Sequence, residues 1–246
     1  MDRLSFIAMS GAQQAELKQA VIANNMANVN TSGFKSELAV MRALPVIGDG
    51  MPTRAFARSA SPGFDDSLGP LQHTGNANDF AVSGQGYFAV QGTDGQEAYT
   101  RAGGFILDAN GVMRTPNGMM IQGDAGPITV PPNSQALIGA DGTVSAVQLD
   151  TVPRVTQTLD RIKLVNVPSK DLQKGPDGLF RRRDGQTAER DESVSIASGA
   201  LEGSNVNAVD MLTQMITNSR MYDLNTKMIQ TADQDDRSAT ELMTVS

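Results

Sequence analysis

Cysteine is absent from this 246-residue sequence, and so is tryptophan. Without cysteine there is no disulfide framework and no thiolate nucleophile, while the redox compartment stays open. The single histidine, His73, sits in the turn-like context "GPLQHTGN", so a histidine-based triad or a zinc site has almost no raw material. Aromatic residues make up only 4% of the chain, as eight Phe and three Tyr, which leaves few large side chains to anchor a core. Long apolar runs are missing as well. Polar residues interrupt everything after "FIAM" at residues 6–9, and neither a Sec-type signal nor a membrane span is read there. Basic residues are in deficit, 20 Lys and Arg against 27 Asp and Glu for a net charge of −7, and "RRRDG" at Arg181 is the one basic run. That balance argues against nucleic acid or anionic lipid as a partner, since both attract clustered cations.

What the sequence has in quantity is glycine, 24 residues, together with 11 proline, the punctuation of a turn-rich fold. The punctuation is unevenly placed. From Asp2, a candidate N-cap, to about Asn30 there is no proline, and Leu4, Ala8, Gly11, Ala15, Ile22, Met26 and Val29 recur mostly three and four apart, which predicts one long amphipathic helix. It would run about 40 Å. The helix is expected to stop at "NTSGFK", with Gly33 best suited to a left-handed C′ position and Phe34 packing back. Four asparagines, Asn24, Asn25, Asn28 and Asn30, crowd its end. Their amides either hydrogen-bond to neighbouring subunits and fix stagger or form a local cap and turn; the helix pattern leaves both open.

Residues 35–74 read as an extended connecting segment with at most short strands, broken by Pro45, Pro52, Pro62 and Pro70 and by Gly48, Gly50, Gly63 and Gly69. From 75 to 200 the pattern is that of β-hairpins. Asp-Gly or Asn-Gly dipeptides stand at Asp94, Asn110, Asn117, Asp141, Asp177 and Asp184, each suited to a reversal with positive φ. Strand-like runs such as "DFAVSG" from Asp79, "GYFAVQG" from Gly86 and "RIKLVNV" from Arg161 lie between them. After Asn207, to about Val245, proline and glycine vanish, and Ala208, Met211, Met215, Tyr222, Ile229, Ala232, Ala239 and Met243 keep a four-three spacing interrupted by Asn218, Asn225 and Asp236. This predicts a second long helix with polar positions that set register. The fold class expected is therefore α+β: long N- and C-terminal helices (1–34 and 201–246) packed as a coiled-coil-like pair, with a central turn-rich all-β domain. Each helix keeps a second apolar side, including Val209, Leu212, Ile216, Met221, Leu224 and Met228 on the C-terminal one, and such wide faces usually need other chains.

Signals for catalysis are weak beside this. "GQGYFA" at Gly84 fits a dinucleotide loop loosely, but a strand rather than a helix is expected after it, so no helix N-terminus awaits a pyrophosphate. "DANG" at Asp108 begins like a calcium loop and lacks the later oxygen ligands. The pairs Asp65/Asp66 and Asp235/Asp236 read as solvated, and "NTS" at Asn30 is a common chance glycosylation match. No metal or cofactor is expected. A rival reading of a different class is a secreted β-domain binding or hydrolytic protein with helical tails, which a pocket of convergent polar groups would favour.

"MSGAQQ" at Met9, "ANNMANVNTSGFK" at Ala23, "YTRAGGFILDANGVMRTPNGMMIQG" at Tyr99, "LEGSNVNAVDML" at Leu201 and "KMIQTAD" at Lys227 together resemble the rod and hook family of the bacterial flagellum, over nearly the whole chain. The short length, the opening "MDRL" and the brief connection before Gly75 are most similar to its proximal rod members, with distal rod members as the alternative. The resemblance implies a noncatalytic subunit of the basal-body rod in the periplasmic space. It would be exported by the flagellar type III apparatus without a cleaved signal, inserted in no membrane, and assembled with other copies of itself and other axial rod proteins. It carries over Asn24, Asn25, Asn28, Asn30, Gly33 and Phe34 from the N-terminal motif and Leu201, Glu202, Gly203, Ser204, Asn205, Val206 and Asn207 from the C-terminal one as subunit-assembly residues. The C-terminal helix adds Met215, Tyr222, Asn225, Met228 and Ile229. Met26, Ala208 and Tyr222 stand where the family more often has Leu, Pro and Phe; Ala208 gives up a preset first helical turn but not the cap.

Overall fold

A computed structural model describes residues 2–39, 41–45, 55–59, 63–150 and 154–244. Gly48, Gly50, Pro52, Pro62 and Val245, named above, lie outside the described residues. The fold is α+β, with a helix at each end of the sequence and antiparallel strands between. The chain divides into two compact units, one of residues 1–29, 36–65 and 206–246 and one of residues 30–35 and 66–205.

The first unit is mainly helical. Helix α1, Asp2–Ala27, and helix α2, Ala208–Thr244, touch in antiparallel sense: Gly11 lies against Asn225, while the Asn218 amide, further back along α2, donates to Ala15 O at 2.7 Å and Gln19 Oε1 at 2.9 Å. On α1 the buried apolar residues are Ala8, Ala15 and Ile22, seven apart, and α2 answers with Asn218 buried and Ala232 buried fourteen positions on. A side chain on Gly11 would meet the Asn225 amide at 2.7 Å. Small residues thus let the two backbones come close, and asparagine fills the space they leave. Helix α2 opens on Asn207, whose Oδ1 accepts from Val209 N at 2.9 Å and Asp210 N at 3.3 Å, the side-chain cap expected where the preset proline turn is missing. Asp210 in the first turn adds a favourable charge.

Helix α1 ends at Ala27 rather than Asn30, and the asparagines explain why. Asn28 Nδ2 bonds back to Asn24 O at 2.9 Å and Asn24 Oδ1 at 2.7 Å, offering the backbone an alternative to another turn of helix. Asn25, 3% exposed, works differently: its amide donates to Glu37 O at 2.9 Å and accepts from Glu37 N at 2.8 Å, pairing with that residue as a neighbouring strand would. Glu37–Leu38 also pairs antiparallel with Gly63–Phe64, and Met41–Pro45 with Ala55–Ser59. Thus Asn24, Asn25 and Asn28 find partners inside the unit.

The second unit is built of antiparallel strands. In the largest sheet the order is Leu172–Lys174, Phe180–Arg182, Glu97–Thr100, Tyr87–Gln91, Met120–Ile121, Met113–Arg114 and Ile106–Leu107, with Leu164–Val165 also on Tyr87–Gln91. A three-stranded meander, Ser134–Ile138, Thr143–Gln148 and Thr156–Arg161, carries a register shift at Val144/Ser145. Phe80, Phe88, Met113, Ile121, Val144 and Ile162 lie in one buried cluster. The scarce aromatics are concentrated here: the rings of Phe80 and Phe88 meet edge to face at 4.8 Å, and Phe105 lies 6.2 Å from Phe80. All six Asp/Asn-Gly glycines have φ between 71° and 85°. They are not the central residues of two-residue hairpin loops. Each donates its N–H to the carbonyl three residues back, as Gly95 does to Gly92 at 3.0 Å and Gly142 to Gly139 at 3.0 Å, placing the glycine after a turn, where a three-residue loop needs a left-handed residue. At four of these turns the preceding Asp accepts the N–H two residues on, as Asp141 does from Thr143 at 3.1 Å.

Because the core has so few large rings, truncating one should be felt in full. Phe80→Ala is expected to cost about 3–5 kcal/mol, read as a lower urea midpoint of the β signal in circular dichroism; a loss under about 1 kcal/mol would show that the site collapses around the vacancy.

Candidate functional site

Three stretches far apart in sequence converge in the β unit: residues 33–35, 99–101 and 201–205. Leu71–His73 pairs antiparallel with Ala200–Glu202, placing Leu71 opposite Glu202 and His73 opposite Ala200. His73 is therefore an exposed strand residue, not a turn residue. Beside this strand pair, Gly33 has φ +69°, and a side chain there would come within 2.2 Å of the Arg101 and Ala102 backbone. The expectation of a helix C′ role for Gly33 gives way to a different one. It lies six residues beyond the end of α1, and its left-handed turn permits close approach of two backbones. Its N–H goes to Glu202 O at 2.8 Å, and Phe34 O accepts from Asn205 N at 3.3 Å.

The chain then turns Lys35 inward. Lys35 Nζ donates to Glu202 Oε1 at 2.9 Å and Ser67 O at 2.6 Å, Arg101 Nη1 donates to Glu202 Oε2 at 2.6 Å, and Gly69 N donates to Glu202 Oε1 at 3.0 Å. The three charged side chains are 0–2% exposed. Arg101 Nη2 also reaches Gly84 O, and its guanidinium stands 5.4 Å from the centre of the Tyr87 ring. Tyr87 in turn donates its hydroxyl to Asp66 Oδ1 at 2.7 Å, so Asp66 is not the solvated carboxylate its sequence setting suggests. Lys174 closes the outer side: its ammonium donates to Lys35 O at 2.9 Å and lies 3.7 Å from the Phe34 ring centre, an attractive placement for a cation.

The electrostatics follow from one carboxylate shared by two cations. Burial pushes Glu202 up, but donation from Arg101, Lys35 and Gly69 outweighs it and holds the carboxyl below its usual range. For Lys35, burial prevails and lowers the ammonium, against the Glu202 contacts that raise it. Glu202 has two cations to itself, whereas Lys35 also faces the repulsion of Arg101. Burial and the Asp66 hydrogen bond push Tyr87 up, so it stays a neutral donor.

This arrangement holds chain segments together. The β unit also has a cleft of about 320 Å³, lined by Thr31, Ser32, Asn76, Asp79, Gly104 and Leu201 among others. Its Asp79 carboxylate already accepts from Thr74 Oγ1 at 2.7 Å and Asn76 Nδ2 at 3.4 Å. Among the described residues no cluster of three or more His, Cys, Asp or Glu is placed to hold a metal, and no helix is long and apolar enough to cross a membrane.

Of the residues singled out from sequence, Gly33, Phe34, Leu201, Glu202, Gly203, Ser204 and Asn205 come together in this joint. There Gly203 N donates to Pro70 O at 2.8 Å and Asn205 Nδ2 to Ser67 O at 3.1 Å. Asn24, Asn25 and Asn28 bond within the helical unit, while Asn30 is exposed. Val206 is buried and Asn207 caps α2. On α2, Met215, Asn225 and Ile229 are half-buried, whereas Tyr222 and Met228 are 46% and 43% exposed. Sequence reasoning passed over Lys35, Arg101, Asp66 and Tyr87. The available signal was a lone charge inside each motif: Lys35 closing "NTSGFK", Arg101 in "YTRAGG" and Glu202 in "LEGSNV".

Those three motifs also coincide with matches to known families. Residues 7–35 match the flagella basal body rod protein family, residues 81–146 the flagellar hook protein FlgE/F/G D1 domain, and residues 197–242 the flagellar basal body rod FlgEFG protein C-terminal region. The chain is 38% identical to the flagellar basal-body rod protein FlgF of Salmonella typhimurium and 37% to that of Escherichia coli, with all of each chain covered in both cases. The chain belongs to the flagellar basal-body rod protein family. It is also 32% identical to the rod protein FlgG of Bacillus subtilis, over 95% of this chain and 96% of that one. The family is structural and not enzymatic, so the rival reading of a hydrolytic β domain falls.

Removing the shared carboxylate would leave two buried cations facing each other. Glu202→Gln is expected to cost about 3–5 kcal/mol at neutral pH. Because the folded carboxyl titrates below its ordinary value of 4.5, its contribution is fully present above that value and is lost as pH falls through the lower, folded one. The gap in melting temperature between the parent chain and Glu202→Gln should therefore narrow as pH is lowered from about 6 to about 3. A gap that stays constant over that range would mean that Glu202 is not held ionised by the fold.

Proposed function

We propose that the chain is a structural subunit of the proximal part of the flagellar basal-body rod, polymerising through α1 and α2 with other copies of itself and with other axial rod proteins, and passing torque along the axis. It reaches the periplasmic rod through the flagellar type III export apparatus. Short length, the opening "MDRL" and the brief connection before Gly75 support the proximal position. The observation that carries assembly is the uncovered apolar surface of α2. Val209, Leu212, Ile216, Met221, Leu224 and Met228 are 43–69% exposed along one helix, and exposed large apolar groups in that number mark an interaction surface.

Within this reading the helices pack as a coiled-coil-like pair in the assembled rod. The seven-residue spacing of Ala8, Ala15 and Ile22, matched by Asn218 and Ala232, supports it. Met215, Tyr222, Asn225, Met228 and Ile229 serve subunit contact on α2. Asn24, Asn25, Asn28 and Asn30 set the shape of the chain at the end of α1, and residues 33–34 and 201–207 hold the segments that lead to the helices. Ordering a residue costs roughly 1–2 kcal/mol, which only packing offsets, so both helices complete their order on assembly. A chain whose longest helices settle last is also easier to export unfolded.

Leu224→Asp places a charge on the exposed face without disturbing a buried contact. It is expected to leave the melting temperature of the β unit unchanged and to abolish incorporation into rods and motility in a complementation assay, because a buried unpaired charge is strongly disfavoured. Normal motility with Leu224→Asp would defeat assembly through this face.

A further inference from the structure

The three-stranded meander of the β unit ends in an open edge. Thr156–Arg161 pairs with Thr143–Gln148 on one side and with no strand on the other. Gln148 N donates to Val155 O at 3.1 Å, and Val147 stands opposite Thr156, Ala146 opposite Gln157 and Ser145 opposite Thr158. Antiparallel hydrogen bonding alternates along a strand. Val155 and Gln157 therefore turn their backbone groups inward to the meander, and Thr156 and Thr158 turn theirs outward. Among the described residues nothing pairs with those outward groups, and Thr156, Gln157 and Thr158 are all exposed. Past Thr158 the edge closes: Asp124 N donates to Arg161 O at 3.1 Å and Ala125 N to Asp160 Oδ2 at 3.2 Å. An open edge is a template for another strand, usually blunted by lysine or proline. The stretch "VTQTL", residues 155–159, has neither and carries no charge.

We infer that this edge pairs with the same edge of a second copy of the free chain, antiparallel and two-fold symmetric about Gln157. The stretch is self-complementary in that register. Thr156 of each copy meets Thr158 of the other, so their outward N–H and C=O groups satisfy one another, and threonine pairs favourably with threonine across strands. Val155 meets Leu159, apolar against apolar. Charge selects the direction. Arg154, exposed, precedes the stretch and Asp160 follows it. The Asp160 carboxylate accepts from Ala125 N at 3.2 Å and Arg161 N at 2.8 Å, and from no cationic side chain among the described residues. Antiparallel pairing brings Arg154 of each copy to the Asp160 end of the other, whereas parallel pairing would set like charges together. The contact is isologous and closes after two copies. Its members point in opposite directions, while copies stacked along a rod point the same way. The pair therefore belongs to the free subunit, where it covers an edge that would otherwise recruit other strands. It goes beyond the rod reading above and makes no use of the helices.

The absence of cysteine makes the test direct. Gln157 lies on the two-fold axis at a non-hydrogen-bonded position of the new pair, where Cα atoms stand about 4.5 Å apart, within disulfide range. Position 154 is equally exposed, but its two copies would be about 20 Å apart along the strands. Under mild oxidation the purified full chain with Gln157→Cys is expected to form a reducible dimer about tenfold or more faster than the chain with Arg154→Cys. In sedimentation velocity the parent chain should show a dimer whose share rises with concentration. Gln157→Lys sets two ammonium groups opposite each other and should abolish that dimer with the melting temperature unchanged, and Arg154→Glu should weaken it. A parent chain that stays monomeric up to about 1 mM, where even a weak contact is populated, overturns the proposal. So does equal cross-linking at positions 157 and 154, or a dimer that survives Gln157→Lys. If Gln157→Lys fails to fold, Arg154→Glu decides: an undiminished dimer counts against the contact. Leu224→Asp, which tests rod assembly, should leave this dimer intact, so the two readings fail separately; loss of the dimer there would assign it to the helices and overturn the edge contact. Folded Gln157→Lys should support normal motility, and loss of motility would contradict a pair confined to the free subunit.

Discussion

A carboxylate taken out of water must be surrounded by donors, and Glu202 meets that demand with groups from three separate parts of the sequence: Lys35, Gly69 and Arg101. Each donor is useful only if its backbone is already in place. Lys35 can turn inward because Gly33 accepts a left-handed turn against the Arg101–Ala102 backbone. Arg101 is held by Gly84 O and the Tyr87 ring, and Tyr87 by Asp66. One buried charge therefore couples residues 30–35 to residues 66–69, 84–87 and 201–205. The cluster specifies this one arrangement more than it adds stability, since a well-packed apolar replacement can match a buried ion pair in free energy.

The two units bury their surface on different terms. In the β unit, Phe80, Phe88, Val144 and Ile162 are each at most 2% exposed, and the turns close themselves through aspartate and glycine. Among the described residues, α1 buries alanine, Gln14, Asn25 and one large aliphatic, Ile22, while Phe6, Met9 and Leu17 on α1 and Val209, Leu212, Ile216 and Leu224 on α2 are exposed. Burial contributes roughly 25 cal/mol per Å² of apolar surface, so the α-helical unit gains most when other chains cover Val209, Leu212, Ile216 and Leu224. In the proposed assembly, the β body folds without neighbours and the helices complete their burial against other chains.

The sequence made both helices legible, because their apolar spacing and freedom from glycine and proline agree, and the helix bounds differ from expectation by a few residues. The six Asp/Asn-Gly reversals were equally clear, although their three-residue loop form depends on hydrogen bonds that a dipeptide does not reveal. What stayed hidden was long-range. Nothing in "NTSGFK" says that Lys35 points into a core, because lysine is rarely buried unless paired and its pair, Glu202, is 167 positions away. Asp66 looked solvated for the same reason: Tyr87, which uses it, is 21 positions on. Asn25 was noticed for the right property, an amide in need of partners, but its partner is the Glu37 backbone.

The central claim is that the β unit is stable by itself and the helices wait for neighbours. Amide hydrogen exchange of the purified, verified monomer measures this residue by residue. The account predicts strong protection at Tyr87–Gln91 and Thr143–Gln148, with exchange through α1 and α2 faster by several orders of magnitude and slowed once the subunit is in isolated rods. Equal protection of helices and strands in the monomer would contradict it.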